Sequence, residues 1–185
     1  MTVRCHWVNN SPIYIDYHDN EWSKPQYDSI KLFEQLCLEI QQAGLSWITV
    51  LKKRENYRKA FYYFDPVKVA KMTAQDINIL MSDAGLVRHR QKLQAIVKNA
   101  QAYLLMEKCG ENFSDFIWSF VNHTPYIRDV KTKDEIPITT STALLMSDAL
   151  KKRGFAFIGE KICYAFMQAT GLVNDHLNDC ISKYK

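Results

Sequence analysis

The apolar residues of this chain recur at helical spacing over most of its length. Between Asp28 and Gly44 the apolar side chains are three or four residues apart, which places them on one face of a helix. Asp28 is a favourable N-cap residue, and Gly44 is typical of a residue that ends a helix. The pattern therefore predicts a helix over residues 28–43. No segment alternates apolar and polar residues for long enough to require a sheet, so we expect an all-α protein.

Further helices are predicted by the same periodicity and by residues that start and stop helices. Ser46 begins a helix that Asp65-Pro66 ends, and residues 73–76 resemble a capping box. The segment 123–137 is irregular and polar, and we expect it to be the least tightly packed. The aromatic-rich segment 7–22 shows little periodicity, which favours a loop. The additional predicted helices cover residues 46–64, 73–83, 88–108, 113–121, 142–153 and 160–170.

Composition limits the chain to a few broad classes. With 185 residues and 47% hydrophobic side chains it can bury a sizeable core, so residues 1–185 are expected to form a single domain, with room for two helical lobes. No apolar run approaches the ~20 residues needed to cross a bilayer, so no membrane partner is expected. Five cysteines, an odd number without a signal peptide before them, indicate a reducing, cytoplasmic location. The net charge of +4 is compatible with an anionic partner such as nucleic acid.

Two cysteines and two histidines near the chain ends form a candidate metal site. Cys5 and His18 are separated by enough chain for a loop to bring them together, and His176 and Cys180 are an i, i+4 pair that a helix would point in one direction. Two Cys and two His form a standard tetrahedral set for zinc. The alternative is coincidence, because a zinc finger keeps its ligand pairs close in sequence and these two pairs lie at opposite ends of the chain.

Glu39 is an anomaly in the helix predicted over residues 28–43. It lies on the same helical face as Leu32, Leu36 and Ala43. A carboxylate on an apolar face is costly to bury unless it has partners or a ligand. Glu39 therefore either reaches solvent from the edge of this face or recognises a polar or cationic ligand inside a pocket.

Aromatic side chains are concentrated in or beside the segments that carry these candidates. Such residues more often belong to a core than to a binding site. Flat aromatic walls around one carboxylate would nevertheless suit a flat, electron-poor base, by stacking and cation–π attraction. The aromatic residues are Trp7, Tyr14, Tyr17, Trp22 and Trp47.

Residues 80–92 combine a helix end, a turn containing Gly85 and the start of a basic helix, which is a helix-hairpin-helix pattern. Backbone amides after such a turn can hold a phosphate, and Arg88, Arg90 and Lys92 add positive charge. The alternative is a plain pair of helices with a solvated basic face.

Several of these segments occur together and in one order, at residues 4–7, 17–22, 38–47, 85–92, 116–120, 152–155 and 171–176. On these motifs the chain resembles the 3-methyladenine DNA glycosylase I family over essentially its whole length. The resemblance implies a helix-hairpin-helix DNA glycosylase fold in which a structural zinc joins the N- and C-terminal segments. It implies hydrolysis of the N-glycosidic bond of 3-methyladenine in alkylated double-stranded DNA, without lyase activity. We expect a monomer.

The resemblance also assigns roles to individual residues. It identifies Glu39 as the residue that hydrogen-bonds the excised base, with a candidate catalytic role. Tyr17 and Trp47 match the aromatic residues that stack on the base, and Tyr14 lies at the pocket. The remaining assignments are zinc for Cys5, His18, His176 and Cys180, a DNA wedge for Gly44 and Leu45, and DNA contact for Gly85, Arg88, Arg90 and Lys92.

The chain departs from the family's commoner pattern at three positions. Ser23, Ile40 and Gln91 each replace a glycine. None of these changes removes a predicted pocket or zinc residue, but Ile40 adds bulk directly beside Glu39.

Overall fold

The structure, a computed structural model, describes residues 3–184 and consists mainly of α-helices. Two short 3-10 segments cover Tyr62–Phe64 and Lys133–Glu135. The helices are α1 (Pro12–Asn20), α2 (Ser29–Gln42), α3 (Trp47–Ala60), α4 (Pro66–Val69), α5 (Ala74–Leu80), α6 (Arg90–Lys108), α7 (Phe113–Ser119), α8 (Ser141–Lys152) and α9 (Glu160–Ala169).

The capping predictions for α2 and α5 are confirmed. The Asp28 side chain accepts a hydrogen bond from the backbone N–H of Lys31, at 2.9 Å. Gly44 follows α2 with φ +81°, a left-handed conformation that glycine adopts without strain. At α5 the Thr73 side chain and the Asp76 side chain each accept from the other's backbone N–H, which is the reciprocal capping box.

Other helix ends differ from the prediction. The helix that begins after Ser46 ends at Ala60 rather than near residue 64, because the backbone turns into the left-handed region at Tyr62 and Tyr63. Asp65-Pro66 both stops this segment and starts α4, because the Asp65 side chain accepts from the N–H groups of Val67 and Lys68.

The prediction of a loop over residues 7–22 was wrong in part, because α1 occupies Pro12–Asn20. Its buried face consists of Tyr14, Tyr17 and His18, which have helical spacing but are only partly apolar. A search for aliphatic periodicity therefore misses this helix. Pro12 in the first turn is the remaining helix signal.

Two further differences lie near the C-terminus. His176 and Cys180 do not share a helix; they lie in an extended and turning segment in which the Cys180 N–H donates to the Leu177 carbonyl. Just before it, residues 173–174 pair in parallel with residues 126–127 as a two-residue ladder. This ladder is the one sheet within residues 3–184 and leaves the protein mainly helical.

The central element of the fold is α2, which contacts α3, α6, α7 and α9. Its side chains from Leu36 to Gln41 are all buried, including Glu39. The face that carries Glu39 is therefore inside the protein rather than at its edge. Within residues 3–184 no helix is both long and apolar enough to cross a membrane.

Candidate active site and metal centre

A cavity of about 340 Å³ opens beside Glu39. Its size and aromatic walls are typical of small-ligand sites. The structure brings four predicted pocket residues together at this cavity: Tyr14, Tyr17, Glu39 and Trp47. They come from α1, α2 and the first turn of α3.

Glu39 is 4% exposed, and its carboxylate accepts a hydrogen bond from Gln35 Nε2 at 2.7 Å. Burial raises the pKa of Glu39 to about 8, and the Gln35 hydrogen bond opposes this rise. At neutral pH the empty pocket therefore favours the protonated acid. A cation in the cavity would favour the carboxylate, so the site is suited to a positively charged ligand.

The same pKa makes folding stability depend on pH. In the folded state the pKa of Glu39 is about 8 rather than 4.5, so the folded protein holds this proton more tightly than the unfolded chain. The stabilisation is therefore complete below about pH 4.5 and is lost as the pH rises to about 8. We expect Glu39→Gln, compared with the unsubstituted protein, to raise the free energy of unfolding at pH 9 by about 5 kcal/mol more than at pH 4. Urea titrations measure this; an equal effect at both pH values would contradict it.

The aromatic walls are packed around Trp7. Its ring centroid lies 4.9 Å from that of Tyr14 and 5.1 Å from that of Trp22. Tyr17, whose ring centroid is 6.4 Å from that of Trp7, also packs against Trp47, and these two rings are 5.4 Å apart and tilted by 42°. These mutual contacts fix the walls before any ligand binds.

Sequence reasoning did not select several lining residues as site residues. The sequence shows Trp7 and Trp22 among the clustered aromatic residues, and their closeness in sequence to Cys5 and His18 could have identified them as pocket residues. Lys133 and Ile136 also line the cavity and come from the polar segment 123–137, which carries no pocket signal.

The four candidate metal ligands meet in one place. The coordinating atoms of Cys5, His18, His176 and Cys180 all lie within 4.8 Å of one another, and all four residues are buried. Cys180 Sγ lies 3.4 Å from both His18 Nε2 and His176 Nδ1, and Cys5 Sγ lies 3.3 Å from His176 Nδ1. Tetrahedral zinc with Zn–S of about 2.3 Å and Zn–N of about 2.0 Å requires ligand separations of roughly 3.5 Å. The donor set therefore fits such an ion.

The protonation of both imidazoles also fits a metal. Arg4 holds the pKa of Asp19 at about 2, so its carboxylate can only accept, and His18 Nδ1 must donate to it at 2.7 Å. His176 Nε2 likewise faces the carbonyl of Trp22, at 3.3 Å. In each histidine the other nitrogen, with its lone pair, faces the cluster. A carboxylate or carbonyl behind the imidazole is the usual outer support of a metal ligand.

The cavity and the metal-ligand cluster share one aromatic layer. Trp22 lines the cavity, and its ring meets the His176 ring edge-on at 4.6 Å. Trp7 similarly contacts both Tyr14 and His18. Any group that fixes the two histidines therefore also supports the pocket wall.

Except for Lys92, the predicted DNA-contacting residues lie in two places, the turn after α2 and the hairpin that leads into α6. Leu45 is 39% exposed after Gly44, and a Cβ on Gly44 would meet no atom within 4 Å. The hairpin contains Gly85, where a Cβ would lie 2.8 Å from Asn56 Nδ2 and 2.9 Å from Asp83 Oδ1, so a larger residue would have to displace these two side chains. Arg88 and Arg90 are exposed there.

Lys92 differs from its expected role. We expected a solvent-facing phosphate contact, but Lys92 is 7% exposed, and its ammonium donates to the carbonyls of Gln41 and Ala43 at 3.2 and 2.5 Å. The helix α6 begins at Arg90, two residues later than predicted, and Lys92 lies on the face of this helix that packs against the end of α2.

A mainly helical fold, a hairpin with exposed arginines, and an aromatic pocket around one buried carboxylate agree with the class of helical DNA glycosylases that the sequence resembles. The family model described as methyladenine glycosylase matches residues 7–183. The chain belongs to this family.

Curated relatives and solved structures agree with this assignment. The chain is 68% identical over 183 residues to the DNA-3-methyladenine glycosylase of Haemophilus influenzae, with 99% of both chains covered. It is 63% identical over 177 residues to DNA-3-methyladenine glycosylase 1 of Escherichia coli, covering 96% of this chain and 95% of the relative. A crystal structure of a 3-methyladenine DNA glycosylase I superposes with a TM-score of 0.96 at 56% identity, covering 97% and 98%. The Staphylococcus aureus enzyme, studied for 3-methyladenine recognition, gives 0.95 at 47% identity, covering 98% and 96%.

Proposed function

We propose that this protein is a DNA-3-methyladenine glycosylase, which hydrolyses the N-glycosidic bond of 3-methyladenine in alkylated double-stranded DNA. The observation that carries the proposal is the buried carboxylate of Glu39 inside an aromatic cavity of about 340 Å³. Methylation at N3 makes adenine cationic, whereas undamaged adenine is neutral. A cation restores the ionised form of Glu39 and stacks well on Tyr17 and Trp47, so the damaged base gains more from this pocket.

The chemical step needs little acid catalysis from the protein. The methylated base already carries a positive charge and leaves as a neutral molecule when its bond to deoxyribose breaks. The protein must extrude the nucleotide from the duplex and hold the base in the pocket. We assign Glu39 to base recognition first and to a candidate catalytic role second, with Tyr14, Tyr17 and Trp47 forming the walls.

A second set of residues is proposed to hold the DNA. Leu45 follows the open turn at Gly44 and is exposed next to the pocket, which suits a wedge at the site of extrusion. Arg88 and Arg90 contact phosphates at the hairpin, where Gly85 permits close approach. One chain supplies the pocket and the hairpin, so we propose a monomer formed by one domain over residues 1–185. A DNA substrate implies an intracellular location.

The absence of lyase activity is also part of the proposal. A lyase needs a nucleophilic amine at the deoxyribose carbon. The amine of Lys92, on the hairpin, is held inside the protein by its hydrogen bonds to two carbonyls and is therefore not available as this nucleophile. The products are therefore free base and an intact abasic strand.

We propose that Cys5, His18, His176 and Cys180 bind one structural zinc ion. Four protein ligands leave no open position for a water molecule, so the ion would supply stability rather than chemistry. It would tie the C-terminal segment to the N-terminal segment that carries Trp7, Tyr14 and Tyr17.

One assay separates this function from its rivals. Incubation with methylated duplex DNA and chromatography of the soluble fraction is expected to detect free 3-methyladenine. DNA binding that weakens with salt but releases no base would instead indicate a non-enzymatic DNA-binding module. The absence of both DNA binding and base release would indicate a helical interaction protein.

Trp47→Ala is expected to lower base release by about 5- to 150-fold, because loss of stacking on one face costs about 1–3 kcal/mol per base. Single-turnover release from methylated DNA measures the effect. Tyr126→Phe, at an exposed aromatic residue that does not line the pocket, is the control. An unchanged release rate in Trp47→Ala would remove Trp47 from the proposed pocket.

A further inference from the structure

The hairpin is attached to one face of α3. Lys53 Nζ donates to the Ala84 carbonyl at 2.6 Å, and Asn56 Nδ2 donates to the Gly85 carbonyl at 3.3 Å. The Val87 N–H donates to the Tyr57 hydroxyl at 3.0 Å. These contacts fix the hairpin relative to the helix whose first residue is Trp47, a pocket wall.

Tyr57 continues this attachment into the protein interior. Its hydroxyl donates to Gln41 Oε1 at 3.3 Å, and Gln41 Nε2 donates to the Lys92 carbonyl at 3.0 Å. Burial raises the pKa of Tyr57 to about 12, so the hydroxyl stays protonated and can donate. Tyr57 and Gln41 are both fully buried.

Lys92 closes the network at the end of α2. Its ammonium donates to the carbonyls of Gln41 and Ala43, which belong to the last turn and the cap of that helix. Terminal carbonyls have no partner inside a helix, and a cation there is favourable because the helix dipole is negative at this end. These carbonyls lie just before Gly44 and Leu45, the turn assigned to wedge into DNA.

The network therefore joins three elements that the proposed function uses separately. The hairpin supplies Val87 and Lys92, α2 supplies Gln41 and Ala43, and α3 supplies Tyr57. Each buried polar group in it has a partner, so the arrangement has one favoured geometry; removing one group leaves its partner unsatisfied.

We propose that Tyr57, Gln41 and Lys92 are positioning residues that hold the Gly44–Leu45 turn at a fixed position relative to the hairpin that contacts DNA. This inference rests on the proposed function. When this relative position is fixed, phosphate contacts at the hairpin place the wedge and Glu39 at the damaged nucleotide. When it is not fixed, the hairpin still binds DNA and the pocket still binds the free base, but the two no longer act efficiently on the same nucleotide.

The test uses Tyr57→Phe and Lys92→Met, with the buried Tyr103→Phe and the exposed Lys98→Met on α6 as matched controls. Three quantities are measured in the full-length protein: affinity for free 3-methyladenine, affinity for undamaged duplex DNA, and single-turnover release of base from methylated duplex DNA. We expect both test variants to release base at least tenfold more slowly at saturating enzyme. Both affinities should stay within twofold of the unsubstituted protein, and the controls should match it in all three.

Lys92→Arg provides the conservative rescue. Its guanidinium can donate to the same two carbonyls, so its release rate should exceed that of Lys92→Met by at least threefold. Release within twofold of the unsubstituted protein in Tyr57→Phe would overturn the inference, even if Lys92→Met fails to fold. Loss of free-base affinity in parallel with release would also overturn it, because that result indicates a damaged pocket. Failure of the unsubstituted protein to release base would instead overturn the proposed function.

Discussion

Glu39→Gln is expected to lower the rate of 3-methyladenine release from methylated DNA by about 100-fold, with the fold preserved. Glutamine has nearly the same shape and can still accept a hydrogen bond from Gln35, but it carries no charge. The loss is therefore electrostatic. Removing one preorganised polar contact from a buried active site typically costs roughly 100- to 1,000-fold in rate.

The physical reason is the low-dielectric surroundings of Glu39. The carboxylate is 4% exposed and has the Gln35 amide as its hydrogen-bond donor. The attraction between a carboxylate and a cationic base is stronger at low dielectric than in water, and it must offset the cost of removing both charges from water. The neutral amide of Glu39→Gln would bind methylated and undamaged adenine with more similar affinities.

Single-turnover release at saturating enzyme measures this effect, together with binding of free 3-methyladenine. Glu55→Gln is the control, because Glu55 is 55% exposed on α3 and lies outside the cavity lining. If Glu39→Gln released base as fast as the unsubstituted protein, Glu39 would have no role in recognition. A circular dichroism spectrum and a melting curve are recorded to test whether the variant is folded.

The position of Glu39 shows how much of the site the sequence could predict. Helical periodicity alone placed Glu39 on the apolar face of α2, and that placement is confirmed by its burial. Periodicity could not decide between the edge of that face and its centre, because the answer depends on what packs against it. The tertiary contacts of α2 with α3, α6, α7 and α9 place Glu39 in the interior instead of at the edge of the face.

The parts that the sequence did not predict have two causes, a missing local signal and a local signal that tertiary contacts override. The buried face of α1 contains tyrosine and histidine instead of aliphatic residues, so it lacks an apolar period. His176 and Cys180 have helical spacing, yet the pairing of residues 173–174 with residues 126–127 leads the chain into an extended path before them. The charge of Lys92 predicts an exposed position, but its ammonium is buried because it donates hydrogen bonds to carbonyls at the end of α2. In the last two cases a long-range partner outweighs a local signal, whereas in α1 the local signal itself is weak.

The second large effect concerns the metal-ligand cluster. We expect the purified protein to contain about one zinc ion per chain, and removal of that ion by a chelator to lower the melting temperature by about 10 °C or more. A structural zinc contributes on the order of 10 kcal/mol in small zinc domains. In a chain of this size, a loss of even about 4 kcal/mol corresponds to about 10 °C.

A single substitution should reproduce this loss. Cys180→Ser removes one of the four buried ligands, whereas Cys109→Ser changes an exposed cysteine at the end of α6 and is the matched control. Zinc content by mass spectrometry and melting temperature are measured for both, with and without chelator. We expect Cys180→Ser to lose zinc and to melt at a lower temperature, with the chelator having no further effect, while Cys109→Ser behaves like the unsubstituted protein.

Base selectivity separates a structural ion from one that takes part in catalysis. The cluster contacts the pocket walls through Trp22 and Trp7, so zinc loss should weaken the support of the walls without removing a group that touches the base. Below its melting temperature, Cys180→Ser should therefore keep its preference for 3-methyladenine over undamaged adenine, with release slowed by less than about tenfold. Active, stable protein without stoichiometric zinc would exclude the structural ion. A purely structural site changes the stability of the folded pocket and leaves its base preference unchanged. Loss of selectivity in folded Cys180→Ser would therefore show that the cluster has a role beyond joining the N- and C-terminal segments.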